Sequence, residues 1–142
     1  MAREPKPVGP PAPVDVLIRT AADIVAARQE GRSLAQRLGF SGSDLTLIAT
    51  AISELARNII EYAKEGRISI GAAQRGSRWG IVIVASDEGP GIPDISKALT
   101  DGYSTGKGLG LGLPGVKRLM HEFDIASHVA RGTTVTARRW VL

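Results

Sequence analysis

The chain has 142 residues, of which 43% are hydrophobic and 23% are charged, and its formal net charge is +4 at pH 7. This length and balance predict one globular domain with its own hydrophobic core and leave too little chain for two. The absence of cysteine excludes disulfides and thiolate metal sites and is compatible with a reducing compartment.

The N-terminal segment has the composition of a tail. Residues 1–13 contain five of the eight prolines and almost no large apolar side chains, which predicts a flexible proline-rich segment before a single domain at 14–142. This segment lacks the apolar stretch of a signal peptide, and no run in the chain reaches the roughly 18 apolar residues of a membrane span. We therefore expect a cytoplasmic protein with no membrane partner.

A strand and a helix are predicted to open the domain. Apolar residues alternate with other residues over 14–18, which is typical of a strand packed on one face. Apolar residues then recur at three- and four-residue spacing over 21–38, which predicts an amphipathic helix. Gly31 is expected to weaken this helix midway, because glycine has a low helix propensity.

The second predicted helix has the most regular apolar pattern in the chain. Ser41 or Ser43 is expected to cap it, and the pattern continues to about Ala63. Such a stripe predicts a face that is buried against the rest of the domain. The stripe consists of Leu45, Ile48, Ile52, Leu55 and Ile59.

Two strands joined by a hairpin are predicted next, followed by a long loop. Residues 67–73 and 79–86 have strand composition, and the stretch 75–77 supplies the turn. The second of these strands contains a continuous apolar run, which predicts a central position in the sheet. Residues 86–105 are rich in glycine, proline and polar residues, which predicts a functional loop with only a short helix near 95–99.

The last predicted elements are a helix and a hairpin. Helical spacing over residues 113–123 is followed by strands at 125–129 and 133–140, with a turn at 131–132. This order favours a mixed α/β (α+β) fold. We expect a two-layer sandwich in which a mixed, mostly antiparallel sheet of sequential neighbours carries helices on one face.

The first candidate motif is a polar pair on the second helix. Glu54 and Asn58 are four residues apart, so both side chains project from one face. An asparagine amide oxygen is a suitable ligand for Mg²⁺ that is otherwise held by phosphates, and a nearby glutamate can orient or deprotonate a hydroxyl. The alternative is an ordinary exposed pair on a helix.

The second motif follows the central strand, in the sequence Asp-Glu-Gly-Pro-Gly. Asp87 could accept a hydrogen bond from the exocyclic amine of adenine, while Gly89 and Gly91 would let the backbone turn closely beneath the base. Thr133, at the start of the last strand, has a hydroxyl that could reach the base or a bridging water. The alternatives are a tight turn with a local acidic cap and an ordinary strand start.

The third motif is a glycine run. Its spacing does not fit a P-loop, and no strand precedes it as a dinucleotide-binding motif requires. Glycines nevertheless allow backbone N–H groups to face phosphates, and the following helix N-terminus adds positive potential. A purely structural glycine loop is the alternative. The candidate phosphate-binding residues are Gly106, Lys107, Gly108, Leu109, Gly110, Leu111 and Gly112.

These motifs, in this order, resemble those of the GHKL (Bergerat-fold) superfamily of ATP-binding proteins. Residues 54–58 are similar to its N box, and the glycine-containing motifs are similar to its glycine boxes. Within the superfamily, residues 52–58 and 108–120 are similar to the RsbT group of stressosome serine/threonine kinases. The resemblance spans almost the whole domain.

The resemblance implies a role for each candidate residue. Asn58 would ligate Mg²⁺, Glu54 would be the catalytic base or hydroxyl-orienting group, and Asp87 would recognise adenine. The first glycine box would shape the base pocket, and the glycine run would hold the phosphates of ATP. Lys107 is a departure, because relatives often have a small residue at this position.

The function implied by the resemblance is ATP-dependent protein serine/threonine kinase activity. Its substrates would be STAS-domain antagonist and scaffold proteins of a bacterial stress response that works by partner switching. When released, the kinase would bind a downstream regulator such as a PP2C-type phosphatase. The alternative is a nucleotide-dependent anti-sigma factor that acts mainly by sequestering a sigma factor. Nucleic-acid binding is disfavoured, because the 18 basic residues are scattered and form no familiar motif.

Overall fold

An antiparallel sheet and a layer of helices make up the fold in the computed structural model, which describes residues 12–100 and 112–142. The strands are β1 (Val14–Ile18), β2 (Gly66–Arg75), β3 (Arg78–Asp87), β4 (Glu122–His128) and β5 (Gly132–Trp140). The helices are α1 (Ala21–Leu38), α2 (Ser43–Asn58), α3 (Ile95–Ala98) and α4 (Gly112–Leu119), and a π-helical turn, Ile59–Ala63, continues α2. The predicted two-layer α/β class is confirmed. Of the predicted tail, residues 1–11 lie outside the described part.

Helix α1 begins at a capping box and packs closely on α2. The Thr20 hydroxyl accepts a hydrogen bond from the Asp23 N–H, and the Asp23 carboxylate accepts one from the Thr20 N–H at 2.9 Å. The helix is continuous through Gly31, which is buried. A β-carbon at residue 31 would overlap the Ile52 side chain, so glycine there permits the close contact between the two helices.

Helix α2 lacks the predicted serine cap. Gly42 is the N-cap residue, and no side chain in the described residues caps the helix from that position. Ser43 already belongs to the first turn, and Ser41 contributes only its carbonyl oxygen, which accepts from the Asp44 N–H at 3.2 Å. The prediction of a cap at Ser41 or Ser43 is therefore wrong. The predicted apolar stripe of α2 is buried throughout, facing the isoleucines of β2 and β3 in the core.

The sheet order is β1-β2-β3-β5-β4, with every neighbouring pair antiparallel. The prediction that sequential strands are neighbours is wrong at one place, since β5 lies between β3 and β4. The long connection that contains α3 and α4 lets β4 reach the edge of the sheet. The position beside β3 is then filled by β5, where Val135 and Ala137 are buried.

This strand order places two predicted site residues side by side. Asp87 at the end of β3 is the Cα partner of Thr133 at the start of β5. Both therefore lie at the same end of two central strands.

The C-terminal helix is shorter than predicted. Helix α4 ends at Leu119 and not at residue 123, and β4 begins at Glu122, three residues before the predicted start. Strand pairing outweighs the helical spacing here, because Phe123 pairs with Ala137 and the His121 N–H donates to the Arg138 carbonyl at 2.9 Å. Among the described residues, no helix is long and apolar enough to cross a membrane.

Candidate functional site

A cavity of about 390 Å³ lies between the end of α2, the loop after β3 and the start of α4. Its wall includes apolar side chains from the core, such as Leu55, Ala85 and Val135. Polar groups enter it at a few points only. A mostly apolar cavity of a few hundred Å³ with a small number of polar groups is typical of a small-molecule site.

The predicted site residues fall into three groups. Five of them line the cavity, and they come from four separate parts of the chain: Asn58, Asp87, Gly91, Gly112 and Thr133. Two others adjoin the lining residues through hydrogen bonds, namely Glu54 and Gly89. The remaining six lie outside the described residues: Gly106, Lys107, Gly108, Leu109, Gly110 and Leu111.

Asp87 presents a carboxylate to the cavity with one oxygen already bonded. Its Oδ1 accepts a hydrogen bond from the Gly89 N–H at 2.9 Å, which also fixes the turn that follows β3. This contact orients the plane of the carboxylate. The other oxygen, Oδ2, has no hydrogen-bond donor among the described residues, so it is the better placed of the two to accept a hydrogen bond from a ligand.

A pair of hydroxyl groups supports the wall of the cavity. The Ser127 and Thr133 hydroxyl oxygens are 2.7 Å apart and share a hydrogen bond, and Ser127 Oγ also accepts from the Ile92 N–H at 2.7 Å. Ser127 thus connects β4, β5 and the loop after β3. Ser127 was not among the predicted site residues. The register of the last hairpin, in which Ser127 and Thr133 are partners, would have indicated it.

Gly91 is held against the last hairpin in a backbone conformation that favours glycine. Its φ is +78°, and a β-carbon there would overlap the carbonyl oxygen of His128. The neighbouring Pro90 carbonyl accepts from the Ala130 N–H at 2.8 Å. The backbone that lines this side of the cavity is therefore fixed by the hairpin between β4 and β5.

Glu54 is a buried carboxylate beneath the first residue of α4. Only 6% of the residue is exposed. Its Oε2 accepts from the Gly112 N–H at 3.1 Å, and its Oε1 accepts from Arg57 Nη1 at 2.6 Å. Arg57 lies inside the predicted motif but was not predicted to have a role. Its spacing of three residues from Glu54 on one helix was the available signal.

Asn58 is the last residue of α2 and lines the cavity where the π-helical turn begins. Short π-helical segments are frequent at functional sites. The described residues contain no group of three or more His, Asp or Glu side chains that could hold a metal ion by themselves. As far as the described residues go, a metal at Asn58 would therefore need further oxygen ligands, such as those of a bound molecule and of water. The amide oxygen is of the class that Mg²⁺ prefers, so this donor fits such an ion.

Residues 18–139 match the family model of the histidine kinase-like ATPase domain. The chain belongs to this family. Membership in the histidine kinase-like ATPase family implies an ATP site, and the cavity described above is the candidate for it. The predicted recognition of a GHKL-type domain is confirmed.

Among curated relatives, this histidine kinase-like ATPase is similar to the serine/threonine-protein kinase RsbT of Bacillus subtilis (strain 168). The two are 56% identical over 126 residues, which cover 89% of this chain and 95% of the relative. An anti-sigma F factor of Thermoanaerobacter sp. (strain X514) is 31% identical over 121 residues, covering 81% and 83% of the two chains. The similarity to RsbT confirms the predicted enzyme class, an ATP-dependent protein serine/threonine kinase.

Solved structures of sensor kinases share the fold of this histidine kinase-like ATPase. The mycobacterial sensor histidine kinase MprB matches with a TM-score of 0.54 at 18% identity, covering 91% of this chain and 96% of that chain. The catalytic domain of the histidine kinase ThkA matches with a TM-score of 0.51 at 17% identity, covering 89% and 95%. At these identities the similarity concerns the fold alone.

Proposed function

We propose that this chain transfers the γ-phosphate of ATP to serine or threonine residues of STAS-domain antagonist and scaffold proteins. The observation that carries the proposal is the convergence of Asn58, Asp87 and Thr133 on one cavity, with the Glu54 carboxylate next to it. The 56% identity to an RsbT kinase supports the same activity. We also propose that the domain comprises residues 14–142 and acts in the cytoplasm.

ATP would lie in the cavity with its base at the sheet and its phosphates toward α4. Asp87 Oδ2 would accept from the exocyclic amine of adenine, and Thr133 would contact the base directly or through water. Gly89 and Gly91 would shape the backbone beneath the base. The phosphates would be held at Gly112 and by the glycine run before it, including Lys107.

Mg²⁺ would be held by Asn58 together with phosphate oxygens and water. The ion would neutralise the charge that develops on the transferred phosphoryl group. Phosphoryl transfer depends mainly on positioning and on such charge neutralisation, so a small set of protein groups suffices.

Glu54 would act on the hydroxyl of the protein substrate. It is a carboxylate at the junction of α2 and α4, next to Gly112, where the phosphates are proposed to bind. From this position it would orient the serine or threonine hydroxyl and accept its proton.

The proposed kinase takes part in partner switching during a bacterial stress response. When its STAS partner is phosphorylated and released, the chain would bind a downstream regulator such as a PP2C-type phosphatase. The second candidate function is sequestration of a sigma factor with little phosphotransfer. It is favoured by one observation, the 31% identity to anti-sigma F factors.

The proposal is tested with Mg-ATP and a candidate STAS protein, followed by mass spectrometry of the STAS protein. We expect one phosphate on a serine or threonine, and loss of transfer in both Asn58→Asp and Glu54→Ala. Replacing the modified residue of the STAS protein by alanine is the substrate control. If the wild type binds ATP, labels no STAS protein and retains a sigma factor on a column, sequestration replaces the kinase proposal.

A further inference from the structure

The two buried polar or charged side chains of the described residues are Ser53 and Glu54. The side chain of Glu54 is 8% exposed, and an ionised carboxylate in such surroundings is costly unless it has close partners. The Ser53 hydroxyl is satisfied by the Ala49 carbonyl oxygen at 2.9 Å, within the same helix. Glu54 instead depends on a charged side chain and on a different element.

Two donors fix the carboxylate of Glu54, one on each oxygen. Arg57 Nη1 donates to Oε1 at 2.6 Å from the same helix, and the Gly112 N–H donates to Oε2 at 3.1 Å from the start of α4. A single donor would leave the carboxylate free to rotate about its last bond. Two donors from different directions determine its plane.

We propose that Arg57 is a positioning residue that holds Glu54 in the orientation needed to accept a proton from the protein substrate. This inference rests on the proposed function. In the reaction, the serine or threonine oxygen forms a bond to the γ-phosphorus, and the hydroxyl proton passes to Glu54. The bond from the γ-phosphorus to its bridging oxygen breaks, and its electron pair leaves with ADP.

The contacts of Glu54 are compatible with this role. A carboxylate has about four lone-pair sites, so the bonds from Arg57 and Gly112 leave acceptor capacity for a substrate hydroxyl. Arg57 is not among the described residues that line the cavity, whereas it donates directly to Glu54, so the proposed role is exerted through Glu54. A displacement of about 1 Å in a catalytic group can lower the rate about 100-fold, so orientation of the base matters.

An ordinary helix-surface pair at this spacing stabilises a helix by only about 0.2–0.5 kcal/mol. The Arg57–Glu54 pair differs because its two members are exposed to very different degrees. The Arg57 side chain is 44% exposed, whereas that of Glu54 is 8% exposed. Loss of Arg57 would therefore leave a buried carboxylate with only the Gly112 N–H as a donor among its present partners.

The first test is steady-state kinetics with Mg-ATP and a STAS acceptor, using Arg57→Met, Arg57→Lys and the control Arg67→Met. Arg67 is an arginine on β2 whose side chain is 58% exposed. We expect Arg57→Met to lower kcat about 10- to 100-fold with KM for ATP changed less than about threefold. Arg57→Lys should recover most of kcat, because its ammonium can still donate to Oε1, and Arg67→Met should match the wild type.

Two kinetic results overturn the inference. One is that kcat and KM are both unchanged in Arg57→Met, and the other is a raised KM for ATP with kcat unchanged, which would make Arg57 a nucleotide-binding residue. A urea unfolding curve for each variant verifies that the kinetics report on folded protein.

A second measurement tests whether Arg57 positions Glu54 without relying on phosphotransfer activity. In ¹H–¹⁵N NMR spectra, we expect the Gly112 amide to change its shift and exchange faster in Arg57→Met, because Glu54 reorients. Arg67→Met should leave this amide unchanged. An unchanged Gly112 amide in folded Arg57→Met overturns the inference. If the wild type labels no STAS protein while this amide does respond, the proposed function fails and the positioning of Glu54 by Arg57 stands.

Discussion

Replacing Asp87 by asparagine tests whether this carboxylate reads the base of the nucleotide. In the structure, Oδ1 accepts from the Gly89 N–H at 2.9 Å and leaves Oδ2 for the ligand. An asparagine can keep the first bond through its amide oxygen. Its NH₂ group would then replace Oδ2 and would face the NH₂ group of adenine, so a donor would meet a donor.

The expected loss follows from one hydrogen bond to a charged group. Such a bond contributes about 1.5–3 kcal/mol, which corresponds to an increase of about 10- to 150-fold in the Kd for ATP. Since the bond to Gly89 is retained, the free energy of unfolding should change by less than about 0.5 kcal/mol. The preference for ATP over GTP should also decrease, because guanine presents an acceptor where adenine presents its amine.

Isothermal titration calorimetry with ATP and GTP measures both effects, and urea denaturation measures the free energy of unfolding. Asp124→Asn, at an exposed position on β4, is the matched control and should bind ATP like the wild type. A Kd for ATP within about twofold of the wild type in folded Asp87→Asn would refute the proposed contact with adenine. If affinity and stability fell together, Asp87 would have a structural role in the turn and not a role in recognition.

Three further changes have expected outcomes. Asn58→Ala should weaken binding of Mg-ATP at least about tenfold while leaving binding of ATP in EDTA nearly unchanged, as measured by calorimetry. Ser127→Ala should lower the free energy of unfolding by about 1–2 kcal/mol and speed exchange of the Ile92 amide, and equal exchange would contradict the role of Ser127. Partial desolvation of the ring, reinforced by the charge of Arg139, lowers the pKa of His121 from its ordinary value, although the residue as a whole is exposed. Between the folded pKa and the unfolded value of about 6.5, the unfolded state therefore binds more protons than the folded state. The stability contributed by neutral His121 is complete above about pH 6.5 and should be lost as the pH falls through the folded pKa. In His121→Asn, the free energy of unfolding, measured by urea titration at each pH, should depend less on pH than in the wild type.

The sequence predicted the elements that depend on local pattern. Helix α1 begins and ends as its apolar spacing indicated, and β1 and α3 lie where they were expected. The errors arise where distant parts of the chain compete with local spacing. Residues 120–123 have helical periodicity, but pairing of Phe123 with Ala137 across the sheet assigns them to a turn and to β4.

In the candidate site, too, local sequence was enough to predict some residues, whereas others depend on contacts between distant parts of the chain. The motifs around Glu54 and Asp87 are short, and residue type and order were enough to select them. Their partners come from other elements: Ser127 could have been found from the register of the last hairpin, whereas the contact between Gly112 and Glu54 could not be predicted without the packing of α4 on α2. Ser127 contributes to the site because it faces Thr133 across the last hairpin, and Gly112 reaches Glu54 because α4 packs on α2.

The position of β5 connects the two halves of the proposed nucleotide site. Because β5 pairs with β3, Thr133 lies opposite Asp87, and because it also pairs with β4, the same threonine reaches Ser127. Side chains alternate between the faces of a strand, so a shift of one residue in the pairing of β5 would turn Thr133 to the other face of the sheet. The end of the cavity proposed to bind the base thus depends on the register of one central strand. The proposed catalytic end depends instead on the contact of Glu54 with α4, so substitutions at the two ends should affect ATP affinity and phosphotransfer separately.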